Sequence, residues 1–251
     1  MGKFVNAHVH LGKDCVFDEE CDEQELLSSR KYGVTSSIVQ PFINRPYIED
    51  TVAIHNRIAA LTKAYPGEFF GMASINPHFK EEDYFKEAER CVRTLKFVGI
   101  KITPVAHAVD PKSKDAFFVF ETARALGVPV MVHTGSGIPF SDPFRLTELA
   151  KNFRSVPLVI AHAGGDMHFS QALYLSETYE QVYLEPSWIS ILNLRTALKK
   201  VGPTKVMFSS DHVINIPVEI AKYDTLIGQD AKALEQVKYK TAKEVFRLQG
   251  I

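Results

Sequence analysis

Eight short apolar, β-branched runs alternate with longer amphipathic segments along the whole chain, and this alternation restricts the fold more than any other feature. The runs cover 4–10, 34–41, 69–76, 97–104, 129–135, 157–165, 182–187 and 206–213, advancing about 29 residues from start to start. That interval holds one strand, one loop and one helix with little left over. In the segment 50–65, Val52, Ile54, Ile58, Ala59 and Leu61 recur near i, i+3, i+4 and i+7, the spacing of a helix buried along one face; 80–96 reads the same way. Runs such as VMVH and LVIAH are apolar without alternation, so both faces of those strands are covered, as in a parallel sheet wrapped by helices.

Eight such units close into a (β/α)8 TIM barrel, which leaves no edge strand. An open doubly wound sheet would more commonly carry a G-x-G-x-x-G turn after its first strand, and none is present. The expectation is therefore an α/β fold forming one barrel domain over 1–251, with a barrel helix at 217–228 and an extra C-terminal helix at 230–249.

Composition narrows the function. Lys plus Arg total 29 against 30 for Asp plus Glu, with no long run of either sign, so neither a nucleic acid nor another polyanion is expected as a partner. Cys15, Cys21 and Cys91 form no C-x-x-C, which argues against a disulfide framework or a thiolate zinc knuckle. No apolar run reaches the roughly 18 residues that span a bilayer, and the start lacks the pattern of a secretory signal. A cytoplasmic location is expected; a homo-oligomer is left open.

In a barrel of this kind chemistry sits at the C-terminal ends of the strands. His8 and His10 close the first run, and their i, i+2 spacing turns both to one side. His133 closes the fifth, His162 the sixth and Asp211 the eighth. A buried imidazole or carboxylate needs a partner, and a divalent cation would supply one to all of them. Neutral imidazole suits Zn, Mn, Fe, Co or Ni. Zn is the first expectation, with one open position for water or substrate. Asp211 is then the candidate acid/base group and His162 a donor to developing negative charge. Lys101, Arg45 and Trp188, at or just beyond strand ends, are candidate contacts for a small, anionic substrate. His107 and His212 fall in loops that could face the same site, whereas His55, within a helix, is expected to be solvated.

The motifs N-A-H-V-H-L at 6–11, G-I-K-I-T-P at 99–104, V-H-T-G at 132–135, A-H-A-G-G at 161–165 and S-S-D at 209–211, with the passage 56–77, resemble the amidohydrolase superfamily. The likeness is to its branch of small single-domain barrels containing metal-dependent hydrolases and nonoxidative decarboxylases. That resemblance implies that His8, His10, His133 and Asp211 hold a single divalent ion with His162 beside it. It also implies that Lys101 is not a carbamylated bridge between two ions. Asn6 departs from the Asp that many relatives carry there. The first functional expectation is hydrolysis of a small carboxylated amide, ester or lactone by a metal-activated water. The alternative is nonoxidative decarboxylation of an aromatic or enoic acid, which the same ligand set would serve. A barrel that binds a metal or ligand without turnover is a third.

Overall fold

The computed structural model describes residues 2–14, 16, 18–43, 47–135 and 140–251. Its strands are β1 (Val5–Lys13), β2 (Glu20–Cys21), β3 (Ser36–Pro41), β4 (Phe69–Gly71), β5 (Ala73–Ser74), β6 (Ile100–Ile102), β7 (Val130–His133), β8 (Leu158–Ala161) and β9 (Val182–Glu185). They form two sheets, β2-β1-β3-β4 and β5-β6-β7-β8-β9, parallel except for the short antiparallel β1–β2 pair.

The two sheets are arcs of one ring. The third run, expected as a single strand, changes partners at Met72: β4 pairs with β3, Met72 donates its N–H to the Val39 carbonyl at 2.9 Å, and Ala73 donates to the Gly99 carbonyl at 2.9 Å. On the opposite side the eighth run closes the circle without a regular ladder. Among the described residues it forms only the single bridges Leu184 to Val206 and Val9 to Asp211, with Met207 N–H on the Leu184 carbonyl (3.1 Å), Ala7 N–H on the Phe208 carbonyl (3.0 Å) and Asp211 N–H on the His8 carbonyl (2.9 Å). The expected (β/α)8 barrel is present, with its eighth member reduced to an extended segment.

Helices follow the strands as the periodicity predicts. Ile48–Ala64 buries Ile54, Ile58 and Leu61, and Glu81–Glu89 continues as a π-helical turn to Thr94. Ser113 accepts the Ala116 N–H at 3.2 Å and starts Lys114–Leu126, satisfying one of the donors that a helix N-terminus leaves unpaired. After Ile216–Ile227 the chain is helical again from Ala231 to Val245, interrupted by a π-turn. This extra C-terminal element closes one end of the barrel. Its residues Ala242 and Val245, with Phe246 and Leu248 just beyond, pack with Val5, Ala7, Ile38, Met72, Met131, Val159, Ala161 and Met207 in one apolar cluster. The inward faces of the strands are thus sealed at the N-terminal end of the barrel, and the cavity that reaches the strand-end histidines opens at the opposite end. No helix among the described residues is long and apolar enough to cross a membrane.

Candidate metal centre and substrate pocket

A β-bulge places the first two histidines. The pairing of β1 with β3 shifts register between Asn6 and Val9, which re-aims the strand. Before the shift Val5 and Ala7 belong to the interior cluster; after it Val9 and Leu11 pack with the outer core, and His8 and His10 take over the inward direction. Asn6 ties this strand to the eighth, donating to Ser210 Oγ at 2.7 Å and accepting the Ser210 N–H at 3.1 Å.

Nε2 of His8 and Nε2 of His10 lie 3.0 Å apart, and Oδ1 of Asp211 lies 3.3 Å from the first and 3.2 Å from the second. On its other side His8 meets Glu185, Nδ1 to Oε2 at 2.7 Å, with both side chains wholly buried. Glu185 also accepts the N–H groups of His162 (3.1 Å) and Ser187 (2.9 Å) and the Ser209 hydroxyl. A carboxylate so supplied with donors is ionised: burial would push it up, but the contacts from His8, His162 and Ser209 outweigh that and hold it below its ordinary range. His8 therefore carries its proton on Nδ1, and burial, reinforced by Lys101, lowers its pKa to about 3. Its Nε2 is a lone pair pointed at the cluster.

His162 adjoins this group, Nδ1 against Ser187 Oγ at 2.8 Å and Nε2 against Nδ1 of His133 at 3.1 Å. Burial, followed by His162, keeps the His133 ring well below the usual histidine range. Burial also favours a neutral Asp211, but the imidazoles of His8 and His162 and the hydrogen bond from His10 outweigh it, and the carboxyl stays well below the carboxylate range. Trp188 donates its indole N–H to Oδ2 of Asp211 at 2.8 Å. The ring of His10 is stacked on Phe42, centroids 4.1 Å apart and planes 4° from parallel. Gly12 permits that stack: its φ is +113°, and a Cβ there would sit 2.8 Å from the Phe42 carbonyl oxygen.

Three of these residues occupy left-handed backbone that side chains disfavour: His162 at φ 59°, Trp188 at 70° and Asp211 at 65°. Each such residue costs on the order of 1–3 kcal/mol, a strain characteristic of sites whose geometry serves function.

The converging atoms fit a divalent cation. Two imidazole nitrogens and a carboxylate oxygen converge at 3.0–3.3 Å, a set of donors that a cation would satisfy together once His10 gives up its hydrogen bond to Asp211. Those separations also match the spacing of neighbouring donors around one ion at about 2.1 Å. His8, His162 and Asp211 likewise present ligand atoms within 4.8 Å of one another. Nδ1 of His10 is buried with no hydrogen-bond partner among the described residues, so this ring has nothing but the cluster to orient it electrostatically.

Above the cluster opens a cavity of about 450 Å³, lined by His10, Phe42, Lys101, His133, His162, Trp188 and Asp211 together with Ser74, Asn76, His107 and His212. Of the expected site residues, His8, His10, Asp211 and His162 come together, and His133 joins through His162. Lys101 is buried at the cavity floor with Nζ 3.0 Å from Nε2 of His8; burial lowers its pKa to about 8. Trp188 is at the wall. Arg45 and Cys15 lie outside the described residues. His107 and His212 reach the cavity, whereas His78 is engaged by Asp115 (2.6 Å) and the Ala108 carbonyl (3.1 Å) away from it.

One expectation is corrected. His55 is not solvated but wholly buried: its Nδ1 contacts Glu87 Oε1 at 2.7 Å, and its Nε2 accepts the Ser74 N–H at 3.0 Å. The orienting role of Glu185 and the aromatic stack of Phe42 were not apparent from sequence. The E-x-S pattern ending the seventh run, adjacent in the barrel to the sixth, was the available signal for the former.

Solved structures share this architecture over almost the entire chain. The 5-carboxyvanillate decarboxylase of Sphingomonas paucimobilis is 15% identical with a TM-score of 0.76, covering 99% of this chain and 100% of its own. A dihydroxybenzoic acid decarboxylase of Polaromonas sp. JS666, with bound manganese and the inhibitor 2-nitroresorcinol, is 16% identical with a TM-score of 0.78, over 99% and 98% of the two chains. The 2,6-dihydroxybenzoate decarboxylase of Rhizobium is 16% identical with a TM-score of 0.78, over 100% of both. Residues 5–248 match the sequence profile of the amidohydrolases. The chain accordingly belongs to the amidohydrolase family of enzymes.

Proposed function

We propose that this chain is a metal-dependent nonoxidative decarboxylase of a carboxylated aromatic acid. The residues alone put hydrolysis first. The similar structures named for decarboxylation of hydroxylated benzoates support the alternative better. The observation that carries the reading is the composition of the cavity: the Phe42 and Trp188 rings flank an imidazole–carboxylate cluster, and Trp188 holds the outer oxygen of an ionised Asp211. Flat apolar walls beside a cationic floor suit an aromatic acid.

His8, His10, His133 and Asp211 would hold one divalent ion, which when bound neutralises the substrate carboxylate and a neighbouring oxygen. Manganese, bound in the Polaromonas relative, would suit a mixed imidazole and carboxylate set at least as well as the zinc expected first. Lys101 supplies positive charge that draws an acid to the floor. Asp211 accepts the proton of a substrate hydroxyl and returns it to the ring carbon bearing the carboxylate. The bond from ring to carboxylate breaks, its electron pair restores the aromatic ring, and carbon dioxide leaves. The product departs as the ionised phenol and regains a proton from solvent. His162, through its contact with His133, keeps that ring oriented. Arg45 remains our candidate for a second carboxylate contact.

The test is manganese-loaded protein incubated with 2,6-dihydroxybenzoate, 5-carboxyvanillate and a panel of lactones in ¹⁸O-water. Carbon dioxide release from the acids supports the reading. Ring-opened products carrying ¹⁸O, without carbon dioxide, would restore hydrolysis.

A further inference from the structure

Ser74, at the end of β5, faces the cavity beside Lys101, its paired residue on β6, and is buried. Its hydroxyl has one partner among the described residues, Nε2 of His107 at 3.4 Å. The direction of that contact is decided at the far side of the ring, where Nδ1 of His107 accepts the Thr103 backbone N–H at 3.3 Å. An imidazole that accepts at Nδ1 must carry its proton on Nε2. Burial, with lesser contributions from His78 and Lys101, lowers the His107 pKa to about 4 and so keeps the ring neutral. Nε2–H therefore donates to Ser74 Oγ, and the serine proton is left to find an acceptor elsewhere. The Ser74 backbone is fixed as well, because its N–H is committed to Nε2 of His55, whose Nδ1 is engaged by Glu87. A buried donor held on two sides, with no acceptor among the described residues and an adjoining cavity, is free to give its proton to an oxygen of whatever occupies that cavity.

We propose that Ser74, positioned by His107, is a specificity-determining donor that binds a second anionic oxygen of the substrate, a carboxylate or an ionised phenol, next to Lys101. This rests on the cavity being the substrate site of the decarboxylase reading, but it is tested by binding alone. Calorimetric titration of manganese-loaded wild-type protein, Ser74→Ala and His107→Leu with benzoate, isophthalate and 3-nitrophenolate provides the readout. The acid bearing a second carboxylate should bind wild type roughly tenfold more tightly than benzoate. That preference should vanish in Ser74→Ala, fall in His107→Leu and recover in His107→Gln, which restores an N–H donor. Competition by the phenolate tells an ionised phenol from a carboxylate at this position. ¹⁵N spectra of wild type should show His107 protonated on Nε2.

An unchanged preference in Ser74→Ala overturns the proposal. So does a wild type that does not discriminate, including one that binds neither acid, and so does a His107 protonated on Nδ1. Loss of discrimination in Ser74→Ala from a protein that decarboxylates nothing would leave this inference standing and defeat the decarboxylase reading instead.

Discussion

Oε2 of Glu185, on β9, lies 2.7 Å from Nδ1 of His8, on β1, and neither side chain has any solvent exposure. The contact sets the tautomer of His8 and delivers its Nε2 lone pair to the place where His10 and Asp211 converge. Orienting carboxylates of this type govern how basic and how well aimed a ligating imidazole is. Glu185→Gln should therefore weaken divalent metal binding by roughly 10–100-fold, measured by competition with a chelating dye, while the far-ultraviolet spectrum of the barrel is retained.

Trp188 acts on the other side of the carboxylate. Its indole N–H at 2.8 Å from Oδ2 leaves Oδ1 to face His8 and His10. Trp188→Phe keeps an aromatic wall but loses this donor, and a hydrogen bond to a charged group contributes about 1.5–3 kcal/mol. Because Trp188 is half exposed, the lower end applies. Turnover of the substrate that emerges from the decarboxylation assay should fall about tenfold with metal content unchanged, as checked by steady-state kinetics beside elemental analysis.

The open and closed ends of the barrel separate function from stability. Phe246, 2% exposed, plugs the N-terminal end against the strand interiors. Phe246→Ala should destabilise the fold by about 3–5 kcal/mol through lost burial and the cavity left behind. Urea unfolding checks this, and the variant should still bind metal under native conditions.

Much of this division is legible in the chain. Seven of the eight apolar runs become strands because their residues are buried on both faces, and the polar residues closing them stand at the open end. The bulge between Asn6 and Val9 is not legible, since register depends on the partner strand β3 and not on β1 itself. Nor is the weak ladder of 206–211, whose pairing is limited to single bridges on either side. His55 misleads because its helix is amphipathic and polar around it. The partner that makes its burial possible, Glu87, comes from another helix, and Ser74 from a strand end.

That buried pair predicts how stability responds to acid. Burial lowers the His55 pKa below its ordinary 6.5 against the pull of Glu87. For Glu87 burial alone would raise the pKa, but hydrogen bonds from Arg90 and His55 outweigh it and bring the pKa from 4.5 down to about 2. Both groups bind protons less readily folded than unfolded, so their contributions are complete above about pH 6.5 and are lost on acidification, His55 first and Glu87 between about pH 4.5 and 2. Urea midpoints of wild type and Glu87→Gln should differ most near neutrality and converge across that lower window. A gap that widens on acidification would refute the assignment.

The central claim is that the strand-end imidazoles and aspartate hold one cation, and elemental analysis after reconstitution with manganese tests it most directly. About one ion per chain is expected in wild type and less than a tenth of that in His10→Ala dialysed side by side. A folded wild type that retains no metal, that retains two ions, or whose metal survives loss of His10 undiminished would contradict it.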